Sequence, residues 1–105
     1  MVDKGADRND VFLSLIVPCF NEEEALAPFF SRVCPILDDL SHAWEIVCVD
    51  DGSTDRTRAA LKEYACGDQR IRAIFFARNF GKEAALSAGL EFTKGNVCIP
   101  IDVDL

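Results

Sequence analysis

Two pairs of acidic residues stand out in this chain of 105 residues: Asp51 follows directly on Asp50, and a single residue separates Asp102 from Asp104. On an extended backbone, residues two apart project from the same face, with about 7 Å between their Cα atoms. Two such carboxylates can hold Mg²⁺ or Mn²⁺, which prefers oxygen ligands and usually completes its shell with substrate phosphates. Asp102 and Asp104 are therefore candidate metal ligands.

The adjacent pair, Asp50 and Asp51, suits a different task. Like charges held side by side repel each other, and one carboxylate is enough to accept hydrogen bonds from the backbone of a turn. We expect one of the two, together with Ser53, to serve the turn. The other is predicted to accept hydrogen bonds from a ligand such as a nucleobase or a ribose hydroxyl.

Four short apolar runs must position these acids. The first, second and fourth are nearly continuous rather than alternating, which is typical of parallel strands covered on both faces. The predicted strands are residues 11–17, 45–49, 71–76 and 96–101.

Helical patterns separate the four runs. Apolar residues at three-and-four spacing predict helices over about 27–41, 55–66 and 81–94. We expect Pro28 at the first helical position and Pro35 to kink the first helix. Ser53, Thr54 or Asp55 is available to cap the second helix.

The alternation of strands and helices predicts an α/β fold with a Rossmann-like open parallel sheet. Because such crossovers are right-handed, and because the first strand is the most apolar, we expect the strand order 3-2-1-4. The polar residues 1–10 are expected to be a flexible tail, and residues 11–105 to form one domain.

The carboxyl ends of parallel strands share one edge, where ligands of open α/β sheets bind. Asn21 and Glu22 follow the first strand there, and Asn21 is expected to cap the next helix. Arg78 and Lys82 follow the third strand, and Lys82 opens a helix whose N-terminal N–H groups attract anions. A diphosphate could therefore lie between these cationic residues and a metal ion.

The bulk composition excludes several classes of protein. Half of the residues are hydrophobic, which argues against disorder. The net charge of −7 argues against nonspecific binding to nucleic acid or anionic lipid. Five dispersed cysteines without a C-x-x-C pair predict small buried side chains in a reducing compartment. With neither a signal peptide nor an apolar run long enough to span a bilayer, a cytoplasmic location is expected.

Four segments, "LIVPCFNEEEAL", "EIVCVDDGSTDRT", "RNFGKEAALSAGL" and "GNVCIPIDVDL", resemble in order and spacing the N-terminal half of glycosyltransferase family 2. Within that family they look most like the polyprenyl-phosphate hexose synthases, the group that includes dolichol-phosphate mannose synthase and undecaprenyl-phosphate sugar transferases. The choice of this group depends mainly on "RNFGKEAALSAG".

The resemblance implies a GT-A fold, a UDP- or GDP-sugar donor and a divalent cation. It implies that the motif with Pro18, Phe20 and Glu22 lines the base and ribose. It further places Asp50 and Asp51 beside the nucleobase, and Asp102 and Asp104 at the metal and diphosphate. Phe20 replaces the usual Tyr of the family, and Val103 stands where Ala is commoner.

The activity implied for the whole enzyme is a metal-assisted, inverting transfer of a hexose to an acceptor, a polyprenyl phosphate or a glycan. Family members continue beyond the metal motif with an acceptor-binding half, a catalytic base and often membrane helices. We therefore expect this chain to be a donor-binding half that contains no catalytic residue and transfers no sugar by itself. Membrane contact is expected only through parts beyond Leu105, at the cytoplasmic face, and the edge of the fourth strand favours homo-oligomers.

Three alternatives remain open. Nucleotidyltransferases and dinucleotide oxidoreductases place a glycine-rich phosphate loop after the first strand, where this chain has "PCFNEEE". A receiver-like signalling module would bind Mg²⁺ in an acidic pocket and accept a phosphoryl group, with its acids expected after the first strand. The third alternative is a fragment that binds nucleotide and has no activity.

Overall fold

The computed structural model describes residues 11–104, and the expected flexible tail over residues 1–10 lies outside the described part. Strands and helices alternate along the chain. They are β1 (Leu13–Cys19), α1 (Leu26–Asp38), β2 (Trp44–Asp50), α2 (Thr57–Gly67), β3 (Ile71–Phe75), α3 (Lys82–Phe92) and β4 (Val97–Pro100).

The four strands form one sheet in the order β3-β2-β1-β4, and every neighbouring pair is parallel. The predicted fold class and strand order are confirmed. In the central pair, Leu13 of β1 is in register with Trp44 of β2, and Cys19 with Asp50. Both strands therefore end at the same height, so the polar segments that follow them begin side by side.

The two faces of the sheet are covered differently. A large apolar cluster joins one face of β1 and β2 to α1 and α2, with Phe29 and Leu61 fully buried in it. On the other face, Val47 and Val49 of β2 pack with Ala85 of α3. Two-sided burial is thus correct for β1 and β2. It is wrong for β4, the strand next to β1 at one end of the order, in which Val97 and Ile99 are exposed.

Helix boundaries shift by a few residues from the predictions. Because α1 begins at Leu26, Pro28 lies inside its first turn instead of at its first position, and Pro35 lies within the helix. Within α1, Ile36 is exposed although the neighbouring apolar residues Val33 and Leu37 are buried. At the start of α2 the prediction of an Asp55 cap is close to the observed geometry: Asp55 Oδ1 accepts a hydrogen bond of 2.8 Å from the N–H of Thr57.

All five cysteines are free thiols, and their burial is uneven. Cys19 and Cys48 are buried as predicted, whereas Cys66 is exposed. A hydrogen bond with Cys19, together with burial, holds the pKa of the Cys48 thiol well above its usual range. Neutral thiols of this kind pack as small apolar side chains.

None of the helices in residues 11–104 has the length and apolar character needed to cross a bilayer.

Helix α3 approaches the sheet closely at Gly89. A Cβ atom at this position would lie 2.5 Å from Cγ2 of Ile16 and 3.3 Å from Cγ2 of Val49. We expect Gly89→Ala to lower the free energy of unfolding by about 1–3 kcal/mol, because overpacking forces the helix away from the sheet.

Gly67 provides a matched control for this substitution. It is the last residue of α2, and a Cβ atom there would have no neighbour within 4 Å. Gly67→Ala should be neutral or should stabilise the chain by up to about 1 kcal/mol, because alanine loses less backbone entropy on folding. Urea denaturation of both variants tests the pair, and equal effects would contradict the close approach of α3.

Candidate nucleotide and cation site

A cleft of about 260 Å³ opens at the carboxyl ends of the strands, where the sequence predicts the ligand edge. It brings together seven of the predicted site residues from four parts of the chain. Its lining consists of Pro18, Cys19, Phe20, Glu22, Asp51, Lys82, Asp102, Val103 and Asp104. Three other predicted residues, Asn21, Asp50 and Arg78, lie outside this lining.

Asp102 and Asp104 reach the cleft by a turn instead of an extended strand. Strand β4 ends at Pro100, the N–H of Ile101 still bonds to the carbonyl of Ile16, and residues 103–104 form a turn. Between the two exposed aspartates, Val103 is buried in the main apolar cluster. The expectation of an extended backbone is therefore wrong here, and the buried Val103 side chain anchors the turn that presents both carboxylates.

Lys82 provides the positive charge of the cleft. Its Nζ donates a hydrogen bond of 2.8 Å to Oδ1 of Asp102. This bond and the charge of Asp102 raise the pKa of Lys82. Both side chains are more than half exposed, so the ion pair is weak and can rearrange around a ligand.

Glu22 adds to the negative potential of the same cleft. Burial first, and then the charges of Asp104, Asp55 and Asp102, raise the pKa of Glu22. Its own N–H donates a hydrogen bond of 2.8 Å to Oγ1 of Thr57, which ties the segment after β1 to the start of α2. A cation in the cleft would relieve the repulsion among these carboxylates.

The donor set fits a cation that a ligand helps to hold. Asp102 and Asp104 supply exposed oxygen ligands, and within residues 11–104 no group of three or more His, Cys, Asp or Glu side chains is arranged to hold a metal ion. Mg²⁺ is commonly bound by one or two carboxylates together with substrate phosphates. The geometry therefore fits a metal-diphosphate site better than a site made of protein ligands alone.

Asp50 lies beneath the cleft. Its side chain is fully buried, and Oδ1 accepts a hydrogen bond of 3.3 Å from the N–H of Ser53. Oδ2 has no hydrogen-bond partner among residues 11–104. The expectation that one aspartate of the pair would serve the turn with Ser53 is thus met by Asp50. A direct contact of Asp50 with a nucleotide stays a prediction.

Asn21 links two loops instead of capping a helix. It has a positive φ of 53°, and its Oδ1 accepts a hydrogen bond of 2.8 Å from the N–H of Thr54. Its N–H donates to Oγ of Ser53 at 2.8 Å. The residue that precedes α1 is Ala25, without a side-chain cap, so the predicted capping role of Asn21 is wrong. The side-chain oxygen of Asn21 instead accepts hydrogen bonds from Thr54 and Asp55.

The Asp51 carboxylate accepts hydrogen bonds from the segment before α3. Its Oδ1 accepts a hydrogen bond of 2.8 Å from the N–H of Phe80, and its Oδ2 accepts bonds of 3.0 Å from the N–H of Gly81 and 3.1 Å from Nδ2 of Asn79. The two amides just before α3 are therefore already occupied by a carboxylate. Both amides precede α3, which begins at Lys82. The attraction of a diphosphate to the N–H groups in the first turn of the helix therefore stays a prediction.

Arg78 lies outside the cleft lining, with its guanidinium 4.4 Å from the centre of the Phe80 ring. Cys19 and Val103 line the cleft although the sequence did not single them out as site residues. Cys19 follows Pro18, and Val103 lies between Asp102 and Asp104. This adjacency to predicted site residues is the sequence feature that could have identified them.

A larger cavity of about 680 Å³ lies at the opposite edge of the sheet, where Trp44 and Glu45 begin β2. Its arginines have partners there: Arg70 pairs with Asp68 and Asp38, and Arg72 with Glu45. Ligands of open α/β sheets bind at the carboxyl ends of the strands. We therefore locate the functional site at the smaller cleft.

Several known proteins are similar to this chain in sequence or in fold. The chain is 46% identical over 93 residues to the bactoprenol glucosyl transferase of Shigella phage SfX, a match that covers 89% of this chain and 30% of the phage protein. Its fold is similar to that of S. aureus TarS, with a TM-score of 0.70 and 23% identity over 90% of this chain and 28% of that one. It is also similar to the mannosyltransferase PcManGT from Pyrobaculum calidifontis, whose structure is a complex with GDP-Man and Mn²⁺, with a TM-score of 0.68 and 26% identity over 88% of this chain and 27% of that one.

The chain thus spans less than a third of the length of these proteins. Residues 14–105 match the family model described as Glycosyl transferase family 2. That range contains all four sequence segments that carry the resemblance. The chain belongs to glycosyltransferase family 2.

Proposed function

We propose that this chain binds the donor of a glycosyltransferase that moves a hexose from a UDP- or GDP-sugar to a polyprenyl phosphate or a glycan. The observation that carries the proposal is the cleft in which Lys82 faces two exposed carboxylates, Asp102 and Asp104, at the carboxyl ends of the strands. The names of relatives support the substrates: a bactoprenol glucosyl transferase for the acceptor, and a mannosyltransferase complex with GDP-Man and Mn²⁺ for the donor.

The roles of the cleft residues follow from their chemistry. Asp102 and Asp104 would hold Mg²⁺ or Mn²⁺, which when bound acts as a Lewis acid and stabilises the negative charge of a departing nucleoside diphosphate. Lys82 donates to phosphate oxygens from the side opposite the carboxylates. Phe20, with 44% of its surface exposed at the rim of the cleft, offers a ring face to the nucleoside.

Other site residues have supporting roles in this proposal. Pro18 and Glu22 line the part of the cleft next to Phe20, where the base and ribose would lie. Nucleotide contacts of Asn21 and Arg78 stay predictions, since both lie outside the lining.

The proposal assigns donor binding to this chain and no catalytic base to its described residues. Acceptor binding and activation of the acceptor oxygen are assigned to the additional length that the relatives possess. A general base must lie within hydrogen-bond reach of the group it activates, and the acids of the cleft are already assigned to donor or metal. We place the reaction at the cytoplasmic face of a membrane, where nucleotide sugars are available.

The family assignment argues against the other classes of protein considered from the sequence. A match to glycosyltransferase family 2 over residues 14–105 does not fit a receiver-like module or a dinucleotide oxidoreductase. Binding of nucleotide without transfer is the alternative that this chain on its own is expected to show.

The test is a calorimetric titration of the chain with UDP and with GDP, in the presence of Mn²⁺ and after chelation. We expect Mn²⁺ to strengthen binding of at least one of the two nucleotides by about tenfold or more, equivalent to roughly 1.4 kcal/mol. The double variant Asp102→Asn Asp104→Asn should lose this gain, because the amide oxygens carry no net charge.

Asp39→Asn serves as the control, since Asp39 is an exposed aspartate that follows α1. It should bind like the unaltered chain. Nucleotide binding that is unchanged by the chelator, or a gain from Mn²⁺ that survives in the double variant, would contradict the metal role of the two aspartates.

A further inference from the structure

Asp51 differs from Asp102 and Asp104 in the cleft because its carboxylate is buried and accepts hydrogen bonds from the backbone. It is 4% exposed, and it accepts hydrogen bonds from the backbone N–H groups of Phe80 and Gly81 and from the side chain of Asn79. Nδ2 of Asn79 also donates to the backbone carbonyl of Asp51 at 3.2 Å. Hydrogen bonds to a charged acceptor are about twice as strong as neutral ones.

These bonds determine where the segment before α3 lies. Residues 77–80 are exposed and belong to neither β3 nor α3, so little burial holds them in place. Their backbone touches the chain next to Asp51: a Cβ atom at Gly52 would lie 2.3 Å from the carbonyl carbon of Arg78. The Asp51 carboxylate and the close approach at Gly52 together join the end of β2 to the start of α3.

The residue directly after this segment is Lys82, the first residue of α3. Its Nζ reaches Oδ1 of Asp102 at 2.8 Å, although both side chains are more than half exposed. Solvent and salt screen the attraction between the charges of an exposed ion pair. Such a pair therefore forms mainly because the backbone places the two residues near each other. The position of Lys82 opposite Asp102 therefore depends on the segment that Asp51 holds.

We propose that Asp51 is a positioning residue: it holds residues 79–81 so that Lys82 stands opposite Asp102 across the donor cleft. The inference deepens the proposed function and relies on it for the identity of the ligand. In this role Asp51 sets the spacing between the lysine and the metal-binding carboxylates. It influences the cation and diphosphate part of donor binding and does not select the base.

The competing assignment, implied by the family resemblance, is that Asp51 reads the nucleobase. The two assignments differ in what Asp51→Asn changes. An asparagine keeps one acceptor oxygen but replaces the other by an NH₂ donor, so it cannot accept from both backbone amides in the same way. If Asp51 positions Lys82, Asp51→Asn should lower nucleotide affinity only when Lys82 is present. If Asp51 contacts the base, Asp51→Asn should change the preference between UDP and GDP.

A double-mutant cycle with Asp51→Asn and Lys82→Gln separates the two assignments. The readout is the Mn²⁺-dependent affinity of the chain for UDP and for GDP, measured by calorimetry. We expect each single variant to weaken this affinity by about threefold to tenfold, the range of one ordinary hydrogen bond at an exposed site. The double variant should be no weaker than Lys82→Gln alone, and Asp51→Asn should leave the ratio of UDP to GDP affinity unchanged.

A second measurement does not depend on nucleotide binding. In the unaltered chain, NMR should show slow amide exchange at Phe80 and Gly81 and contacts between the side chains of Lys82 and Asp102. Asp51→Asn should speed the exchange and remove the contacts, and the control Asp39→Asn should change neither.

The outcomes separate the inference from the proposed function. If the chain binds no nucleotide while Asp51→Asn removes the contact between Lys82 and Asp102, the donor-binding proposal fails and the positioning role stands. Additive losses in the cycle, a changed ratio of UDP to GDP affinity, or a contact that survives in Asp51→Asn would overturn the positioning role.

Discussion

Glu45→Ala is expected to lower the free energy of unfolding by about 3–5 kcal/mol, the usual cost of removing one partner from a buried ion pair. Glu45 is 3% exposed at the amino-terminal end of β2. Its Oε2 accepts hydrogen bonds of 2.7 Å from Oγ of Ser14 and 2.7 Å from the N–H of Lys94. Its Oε1 accepts a hydrogen bond of 2.6 Å from the guanidinium of Arg72.

The expected fall in the free energy of unfolding is large because several hydrogen-bond donors share the Glu45 carboxylate. Glu45 joins three strands and the segment between α3 and β4, and Oγ of Ser14 in turn accepts a hydrogen bond of 2.9 Å from the N–H of Gly95. An alanine removes the acceptor of Ser14 and of the Lys94 amide. It leaves Arg72 with the carbonyl of Phe92 but without its carboxylate partner. Leaving buried polar groups unsatisfied costs more than the net gain from an ordinary hydrogen bond.

The same network predicts a dependence of stability on pH. Burial by itself would raise the pKa of Glu45, but hydrogen bonds from Ser14, Lys94 and Arg72, with the charge of Arg72, hold it below its usual value. A group whose pKa is lowered by folding contributes stability above its unfolded pKa, about 4.3 for glutamate. This contribution should decline as the pH falls below that value and should be gone below the lowered pKa of the folded chain.

Urea denaturation at neutral and at acidic pH checks this result. Glu45→Gln keeps the size of the side chain and one acceptor, so its loss should be smaller than that of Glu45→Ala, and its difference from the unaltered chain should shrink in acid. Glu91→Ala, at an exposed position of α3, should stay within about 0.5 kcal/mol of the unaltered chain. A Glu45→Ala variant as stable as Glu91→Ala would contradict the network.

Gly52→Ala is expected to lower the free energy of unfolding by about 2–5 kcal/mol, the sum of a backbone term and a steric term. Gly52 has a φ of +78°, a conformation that costs side chains with a Cβ atom about 1–2 kcal/mol. A Cβ atom there would also lie 2.3 Å from the carbonyl carbon of Arg78 and 2.4 Å from the backbone nitrogen of Asn79. Backbone atoms cannot rotate away, so two loops must separate.

Gly81→Ala is the control because it also places a Cβ atom at a positive φ but adds no steric term. Gly81 has a φ of +104°, but a Cβ atom there would have no neighbour within 4 Å. Gly81→Ala should lower the free energy of unfolding by only about 1–3 kcal/mol, the cost of backbone strain. Thermal and urea unfolding compare the two variants, and a Gly52→Ala chain no less stable than Gly81→Ala would show that the loops are not in close contact.

The two regions of large expected effect lie at opposite ends of the sheet. The Glu45 network joins the amino-terminal ends of β1, β2 and β3, whereas Gly52 and Asp51 join the loops at the carboxyl ends that form the donor cleft. Glu45 variants should therefore change stability with little change in the geometry of the cleft. Gly52→Ala should alter both, because it moves the segment that leads to Lys82.

The sequence by itself determined the order of the strands and the edge at which the site lies. Nearly continuous apolar runs predict buried parallel strands, and right-handed crossovers leave few possible orders for four strands joined by three helices. Because these signals are local or apply to chain topology in general, they can be recognised without knowing any contact. The clustering of Phe20, Glu22, Lys82, Asp102 and Asp104 at one cleft follows from them.

Only the tertiary structure decided what the individual acids do. Asp50 and Asp51 are adjacent residues of the same type. Asp50 accepts a hydrogen bond within its own turn, whereas Asp51 accepts hydrogen bonds from amides 29 and 30 residues further along the chain. The pairing of Lys82 with Asp102 and the bond from the Lys94 amide to Glu45 likewise join residues 20 and 49 positions apart. Periodicity and spacing report which face of an element a residue occupies. The partner of a buried or loop carboxylate depends on which distant backbone the folded chain brings within hydrogen-bond reach, about 3 Å.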